Sequence, residues 1–155
     1  MRIAIGTDHA GFDLKERFKR ELAALGHEVQ DMGTTGALPP VDYPDYCFPV
    51  GELVARGEVD RGIVLGGSGI GEAIAANKVA GVRAALVTSD ETARLTREHN
   101  DSNVMAVGAR TNRHDDAVRW LRIWLDTPFE GGRHVARLEK IRTYEDLHGR
   151  SRQAP

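Results

Sequence analysis

The sequence predicts an α/β fold in three layers, with a five-stranded parallel sheet between two layers of helices. Short apolar runs alternate with longer amphipathic segments along the whole chain, which is typical of parallel sheets. The chain has 155 residues, of which 41% are hydrophobic, enough for one domain with its own core. We therefore expect a single domain over residues 1–148 and a polar C-terminal tail over 149–155.

Five apolar runs have the length and composition of buried strands. In chain order they are Arg2–Gly6, Glu28–Met32, Gly62–Leu65, Arg83–Val87 and Asn103–Val107. Residues 33–42 follow the second run and contain Gly36, Pro39 and Pro40, so this range is predicted to be a loop.

Six segments are predicted to be helices. The first, Phe12–Leu25, places Leu14, Phe18 and Leu22 on one face and stops at Gly26. The others are Pro44–Arg56, Ala73–Lys78, a segment that follows the capping box Thr88–Glu91 and ends near His99, a segment capped by Asn112 that ends at Leu125, and Val135–Leu147. The last of them is an extra C-terminal helix beyond the five strands.

Composition excludes several classes of partner. The 21 basic residues nearly balance the 23 acidic ones, leaving a net charge of −2, so the chain lacks the basic excess of nucleic-acid or membrane-surface proteins. No apolar run approaches the length of a membrane span. The single cysteine, Cys47, forms no intrachain disulfide, which favours a reducing, cytoplasmic setting.

The segment Leu65–Glu72 carries four glycines between a predicted strand and a predicted helix. Glycines let the backbone approach a ligand with its amides pointing inward, which makes a site for an anion. Glu72 closes this loop and supplies a base beside the anion site. The same pattern also fits a plain strand-to-helix turn with a solvated glutamate. Burial against Ile70 and Ile74 would raise the pKa of Glu72, whereas the helix N-terminus would lower it.

Metal and cofactor chemistry find little support. Counting from Gly67, Glu72 stands where the third glycine of a dinucleotide-binding loop belongs, and no Gly-Lys-Ser/Thr follows the glycines. The six histidines lack His-x3-His spacing, and a lone cysteine makes no Cys-x2-Cys pair. We therefore expect no bound metal and no organic cofactor.

Polar residues follow the predicted strands, where ligands of parallel sheets bind. Asp8 and His9 come after the first strand and Arg110 after the last. In a functional interpretation Asp8 accepts from a ligand hydroxyl and His9 donates to an anion. A helix-capping aspartate and a surface histidine are the alternative.

Two further clusters lie near helix ends. Arg133 and Arg137 are four residues apart at the start of the last predicted helix, so both guanidinium groups share a face. With Arg110 they offer three ligands for a phosphate dianion, although solvated surface arginines are the common alternative. His99 and Asn100 end the fourth helix, where histidine is frequent for its interaction with the helix dipole alone.

Six motifs occur together along nearly the whole chain: Gly6–Phe12, Asp42–Pro44, Gly67–Gly71, Ile74–Lys78, Glu98–Asp101 and Phe129–His134. In this order they resemble the type B ribose-5-phosphate isomerases and the related galactose-6-phosphate isomerase subunits. The resemblance implies a Rossmann-like sandwich with a five-stranded parallel sheet. It also implies aldose–ketose isomerisation of a phosphorylated sugar without metal or organic cofactor. The sites would be shared between the subunits of a homodimer, or of a dimer of dimers.

One departure bears on the chemistry. Many members of that family carry a catalytic cysteine where this chain has Gly66, and Cys47 lies in a different segment. A subset has a glutamate that closes the glycine loop, and Glu72 matches it. The resemblance therefore implies that Glu72 is the general base and that the reaction passes through a cis-enediolate. Ser68 Oγ and the backbone of residues 67–71 would hold this enediolate, through Gly67, Gly69, Ile70 and Gly71.

The same resemblance assigns the remaining roles. His99 and Asp8 would open the sugar ring, Asn100 would bind the sugar hydroxyls or the enediolate, and Tyr43 would line the sugar pocket. The implied phosphate ligands are His9, Arg110, Arg133 and Arg137. Which of these residues come from a partner subunit is not evident from the sequence.

Several functions remain open at this point. The expected substrate pair is ribose 5-phosphate and ribulose 5-phosphate, but a hexose 6-phosphate such as allose 6-phosphate, or a tetrose 4-phosphate, fits the same chemistry. A flavodoxin-like nucleotide-binding module without catalysis is the alternative of another class. A non-catalytic subunit of a hetero-oligomer is less favoured, because base, anion site and phosphate ligands occur in one chain.

Overall fold

The computed structural model describes residues 1–149 and contains one parallel sheet. Its strands are β1 (Arg2–Thr7), β2 (Glu28–Asp31), β3 (Arg61–Gly66), β4 (Ala84–Leu86) and β5 (Val104–Gly108). Their order across the sheet is β2-β1-β3-β5-β4, and every neighbouring pair is parallel. The predicted five-stranded α/β sandwich is confirmed.

Six helices accompany the strands: α1 (Phe12–Ala24), α2 (Pro44–Ala55), α3 (Ile70–Ala76), α4 (Asp90–Asn100), α5 (His114–Asp126) and α6 (Val135–Gly149). Helices α1, α4 and α5 pack on one face of the sheet, against Ile3, Ile5 and Met105 among others. Helices α2 and α3 pack on the other face, against Ala4 and Val64. Side chains alternate between the two faces because successive strand residues point in opposite directions.

The extra C-terminal helix, α6, buries none of its residues. Four of its large apolar side chains are exposed, namely Val135, Ile141, Tyr144 and Leu147. A helix of fifteen residues that leaves its apolar side chains in solvent has little to stabilise it within one chain. None of the helices in residues 1–149 has both the length and the apolar character needed to cross a membrane.

The loop over residues 33–42 is held at both ends. Near its start, the buried Lys15 ammonium donates to both carboxylate oxygens of Asp31, at 3.0 and 2.9 Å, and to Thr34 O at 2.7 Å. Near its end, the amide of Val41 lies 3.1 Å from His9 Nδ1. The loop is thereby tied to α1, to β2 and to the residues that follow β1.

Some predicted boundaries differ from the structure. Helix α3 begins at Ile70 rather than Ala73, so Glu72 lies in its first turn. Helix α5 is preceded by Arg113 as its N-terminal flanking residue; Asn112 does not cap it, because its side chain donates to Gly108 O at 2.8 Å. Gly149, expected in the tail, is the last residue of α6, and the rest of that tail, 150–155, lies outside the described residues.

Candidate active site

The Glu72 side chain lies folded over the end of β3. Glu72 is only 4% exposed, and a Cβ added to Gly66 would overlap its Oε1 and Cδ atoms. The carboxylate therefore occupies the space that any side chain at position 66 would need. This gives a physical reason for the departure noted in the sequence, since a cysteine at position 66 and the present position of Glu72 exclude each other.

The environment of Glu72 raises its pKa above the ordinary value. Burial is the main cause, and the nearby Asp8 charge adds to it, whereas hydrogen bonding from the amides of Glu72 and Gly69 lowers the pKa in part. The expected burial against Ile70 and Ile74 is wrong, because both side chains are 55% exposed. The carboxylate lies instead against Gly66, the last residue of β3.

Two features leave Glu72 free to act as a base. Its Oε2 atom is buried and has no hydrogen-bond partner among the described residues. Cys47 is fully buried nearby, and burial together with the charges of Glu72 and Asp8 raises the pKa of its thiol. Cys47 thus keeps its proton and does not transfer it to the Glu72 carboxylate.

The glycine loop uses only part of its backbone for its own structure. Gly69 has a φ of 79°, the left-handed conformation that glycine adopts without strain, and it precedes α3. Ile70 N–H donates to Ser68 Oγ at 3.2 Å, and the Gly69 amide faces the Glu72 carboxylate. Among residues 1–149, the amides of Gly67 and Ser68 have no protein acceptor. The free donors of the loop are thus fewer than the five amides expected from the sequence.

Four other predicted residues surround the same loop. Asp8 is buried, and its Oδ1 accepts from Ala10 N–H at 2.9 Å. Tyr43 packs its ring against Gly71, where an added Cβ would lie 2.7 Å from Cζ. Arg110 lies beside Gly67, with its Cδ atom 3.7 Å from the position of an added Cβ. The carboxyl edge of the sheet therefore brings Asp8, His9, Tyr43, Glu72 and Arg110 together.

His9 is anchored to the 33–42 loop through one ring nitrogen. Its Nδ1 lies 3.1 Å from Val41 N and 3.2 Å from Val41 O, so the backbone of Val41 offers this nitrogen both a donor and an acceptor. Either tautomer of the ring therefore finds a partner at Val41. Nε2 makes no hydrogen bond within residues 1–149 and is the nitrogen left for a ligand.

A second cluster contains the other predicted residues. His99 and Asn100 end α4, and Arg133 and Arg137 follow the 127–131 segment, which is tied to α4 by the Glu130 amide donating to Glu98 O at 3.0 Å. His134 joins this cluster with its ring stacked on His99 at a centroid distance of 4.3 Å. Sequence reasoning missed His134 and Glu130, because nothing in their spacing pairs them with His99.

The two clusters lie at opposite edges of the sheet. Helix α4 begins just beyond the carboxyl end of β4 and runs back to the amino edge, where Arg83 Nε, before β4, donates to Asn100 O at 3.1 Å. At 1.5 Å per residue the helix spans about 16 Å. Glu72 and His99 of one chain are therefore too far apart to contact the same small molecule. Within one chain, Arg110 lies with Glu72, whereas Arg133 and Arg137 lie in the other cluster.

One group in the second cluster has the composition of a metal site. The ligand atoms of His99, Glu130 and His134 lie within 4.8 Å of one another, a grouping that the histidine spacing did not predict. The two rings are nearly parallel, 14° apart, and Arg133 and Arg137 direct guanidinium nitrogens at His134 from 3.4 and 3.3 Å. Stacked rings beside two guanidinium charges are poorly arranged to hold a cation.

A buried carboxylate beside free backbone amides, at the carboxyl edge of a parallel sheet, has the composition and the place of an enzyme active site. Comparison with known proteins assigns the family. The chain belongs to the ribose/galactose isomerase family, whose model matches residues 3–141. It is therefore an isomerase, and the alternative of a non-catalytic nucleotide-binding module is wrong. The strand order also differs from that of flavodoxins, in which the last two strands are exchanged.

Relatives of similar length match almost end to end. The chain is 47% identical to the putative sugar phosphate isomerase YwlF of Bacillus subtilis, over 94% of this chain and 98% of that protein. It is 44% identical to ribose-5-phosphate isomerase B of Escherichia coli, over 93% and 96% of the two chains.

Solved structures agree with the fold. Ribose-5-phosphate isomerase B of Clostridium thermocellum superimposes with a TM-score of 0.93 at 47% identity, covering 96% of this chain and 99% of the other. The Mycoplasma genitalium ribose-5-phosphate isomerase B, solved with bound ribulose 5-phosphate, gives 0.91 at 38% identity, covering 94% and 96%.

Proposed function

We propose that this isomerase interconverts ribose 5-phosphate and ribulose 5-phosphate through a cis-enediolate, with Glu72 as general base. The observation that carries the proposal is the buried Glu72 carboxylate, which has an unpartnered Oε2 and lies beside a loop with free amides. The names of the relatives support the pentose phosphate as substrate.

The proton transfer follows from the position of the carboxylate. Glu72 takes the proton from C2 of the open-chain aldose, the C1 carbonyl becomes an enediolate oxygen, and the same carboxyl group returns a proton to C1. A proton moves from O2 to O1 to complete the ketose. The raised pKa of Glu72 suits this role, because a carboxylate of ordinary pKa is a weak base towards carbon.

The enediolate needs hydrogen-bond donors that are in place before charge develops. The amides of Gly67 and Ser68 meet this need, since no protein acceptor within residues 1–149 uses them. Ser68 Oγ accepts from Ile70 N–H, so its own hydroxyl proton remains available to an enediolate oxygen. Removing one such donor typically costs about 3 kcal/mol of transition-state stabilisation.

Ring opening and phosphate binding are assigned to the outer parts of the site. His99, with Asp8, moves the proton between the ring oxygen and O1 of the furanose, and Asn100 binds the hydroxyls or the enediolate. Tyr43 lines the sugar pocket. The phosphate is held from both ends of the strands. His9 and Arg110 belong to the cluster around Glu72, here the carboxyl-edge cluster. Arg133 and Arg137 belong to the second cluster, around His99 and His134, here the amino-edge cluster.

These roles require two copies of the chain. Glu72 and His99 lie at opposite edges of one sheet, so a single site forms only where the carboxyl edge of one subunit meets the amino edge of another. The exposed apolar side chains of α6 supply a surface for such a contact. We infer a homodimer with two shared sites, which is also the basic unit of a dimer of dimers.

Two experiments test the proposal. Initial rates on ribose 5-phosphate, allose 6-phosphate and erythrose 4-phosphate identify the substrate, and a kcat/KM on either of the last two that exceeds the pentose value refutes our choice. Subunit exchange between inactive Glu72→Gln and inactive His99→Asn tests the shared site. Random mixing should restore about a quarter of the wild-type activity, because half of the dimers are mixed and each has one intact site. No recovery despite demonstrated exchange would place both groups in one chain.

A further inference from the structure

His134 is the one buried residue between positions 127 and 149. It is 3% exposed, whereas its neighbours Arg133 and Arg137 are exposed and α6, which follows, buries nothing. A polar side chain rarely becomes buried in an otherwise exposed segment unless defined contacts compensate for its lost hydration. The contacts of this ring therefore indicate its role.

The ring makes three kinds of contact. One face stacks on His99, with centroids 4.3 Å apart and planes 14° from parallel. At its edge, Arg133 Nε lies 3.4 Å from Nε2 and Arg137 Nη1 lies 3.3 Å from Nδ1. The Glu130 carboxylate lies 3.6 Å from Nε2. One imidazole thus touches the proposed ring-opening group and both proposed phosphate ligands of this edge.

The surroundings keep this ring neutral. Burial, the neighbouring His99 and the two guanidinium groups all lower the pKa of His134, and Glu130 alone opposes them. A neutral imidazole has one nitrogen that accepts a hydrogen bond and a flat face that stacks. It is also rigid, so groups that pack against it keep a constant separation.

We propose that His134 is a positioning residue that holds His99 through ring stacking and, through the one ring nitrogen that accepts, either Arg133 or Arg137, and so fixes the distance between the ring-opening group and the phosphate ligands. This proposal rests on the proposed function and extends it. His134 touches no reacting atom in this scheme and acts through the three side chains around it.

In the proposed function, the groups that His134 holds act on two parts of one sugar, the ring oxygen and the phosphate. In a ribofuranose 5-phosphate, two carbons and the ester oxygen separate the ring oxygen from phosphorus. The same atoms separate them in a hexopyranose 6-phosphate, whereas a tetrose 4-phosphate has no such ring. The amino-edge cluster therefore recognises a cyclic sugar phosphate as a class. The choice between five and six carbons then depends on the distance between this cluster and Glu72 in the shared site.

Two substrates distinguish the effect of the stacking of His134 on His99 from the effect of its contact with the arginines. Ribose 5-phosphate is mostly a furanose, whereas 4-deoxyribose 5-phosphate lacks the hydroxyl that closes this ring and stays open-chain. His134→Gln keeps a side chain that can accept a hydrogen bond but removes the ring from His99. We expect its kcat/KM to fall at least about tenfold on ribose 5-phosphate and less than about threefold on the deoxy substrate.

The complementary variant is His134→Phe, which keeps a ring for His99 and removes the nitrogens at its edge. Its KM should rise about fivefold on both substrates, while kcat changes less than about threefold. His148→Phe is the matched control, because His148 also stacks on an aromatic ring, Tyr144, at 4.0 Å and lies on α6. We expect wild-type constants for this control.

The outcomes distinguish the two proposals. Should the wild type fail to convert ribose 5-phosphate, the proposed function is wrong. If the wild type is active and His99→Asn impairs ribose 5-phosphate more than the deoxy substrate, the proposed function stands. Wild-type constants for both His134 variants, or equal losses of kcat on both substrates in His134→Gln, would then overturn the role of His134 alone.

A measurement on the unmodified protein covers the case in which the variants do not fold. Inorganic phosphate is titrated while imidazole resonances are followed by NMR. The resonances of His134 and His99 should shift with a common dissociation constant, because phosphate draws on the arginines that His134 contacts, and His148 should not shift. A shift confined to His134, with His99 unmoved at saturation, would contradict the coupling.

Discussion

Replacing Gly66 with alanine should disable the enzyme through Glu72 alone. The added Cβ would overlap Glu72 Oε1 and Cδ and lie 3.0 Å from Cγ, so the carboxylate has to leave its position. Gly66 is not among the residues with positive φ, so alanine itself fits the backbone. The substitution therefore displaces the base without removing it.

The size of the effect follows from the overlap. Nonbonded carbon atoms are in contact at about 3.5–4.0 Å, so the carboxylate has to move by more than about 1 Å. A reacting group misplaced by this distance typically costs about 100-fold in rate. We expect kcat to fall by about this factor with little change in KM, and overpacking to destabilise the fold by about 1–3 kcal/mol.

A double-mutant cycle in urea identifies the cause. Glu72→Ala removes the three atoms nearest to the new methyl group, Oε1, Cδ and Cγ, so Gly66→Ala should cost almost nothing in that background. The coupling free energy between the two positions should then equal most of the single-mutant cost, about 1–3 kcal/mol. Gly67→Ala is the control for stability, since its nearest neighbour is 3.7 Å away.

Either of two results would refute this reasoning. Gly66→Ala with most of its kcat intact would mean that the position of the Glu72 carboxylate does not matter for the reaction. An equal loss of stability in the wild-type and Glu72→Ala backgrounds would mean that the methyl group meets something other than Glu72.

Three other changes give distinct results. Glu72→Gln should lower kcat by about 10²–10⁴. The raised pKa of Glu72 makes its ionised form unfavourable in the fold, so the stabilising contribution of the protonated carboxyl is lost as pH rises through the folded pKa. Glu72→Gln should hence melt above the wild type at pH 7 and not at pH 4, and an equal Tm at both would contradict the pKa shift. Arg137→Ala should raise KM for ribose 5-phosphate about tenfold while leaving unphosphorylated ribose unaffected, and equal effects on both would exclude a phosphate contact. Ser102→Ala leaves buried Trp124 Nε1 without the oxygen it reaches at 2.8 Å, so urea unfolding should show a loss of about 1–3 kcal/mol, and an unchanged midpoint would show that the bond contributes nothing.

Much of the fold could be predicted because local pattern and tertiary structure agree. The apolar run at residues 62–65 has neighbours on both faces of the sheet, and β3 is buried there as expected. The capping box before α4 is present, with Ser89 Oγ accepting from Thr92 N–H at 3.0 Å. Asn112 misled because the helix begins one residue later, after Arg113, and the Asn112 side-chain amide donates to Gly108 O instead of its oxygen accepting from a first-turn amide.

The site was harder to predict because its arrangement depends on three-dimensional proximity. The glycine loop and Glu72 stand out in the sequence, but the burial of Glu72 depends on Gly66, six positions earlier, and not on the isoleucines beside it. One signal was available for His99: a helix that follows a parallel strand ends at the opposite edge of the sheet. No comparable signal exists for His134, whose burial depends on where α4 ends.

The hydrogen bond between Val41 and His9 couples the mobility of the 33–42 loop to the binding of an anion at His9. An anion bound at His9 Nε2 favours the tautomer that carries its proton there, so Nδ1 then accepts from the Val41 amide instead of donating to Val41 O. The 33–42 loop, already secured at its other end by Lys15, should then open less often. Amide hydrogen exchange at Val41 would slow when phosphate binds, so the order of this loop reports whether the site is occupied.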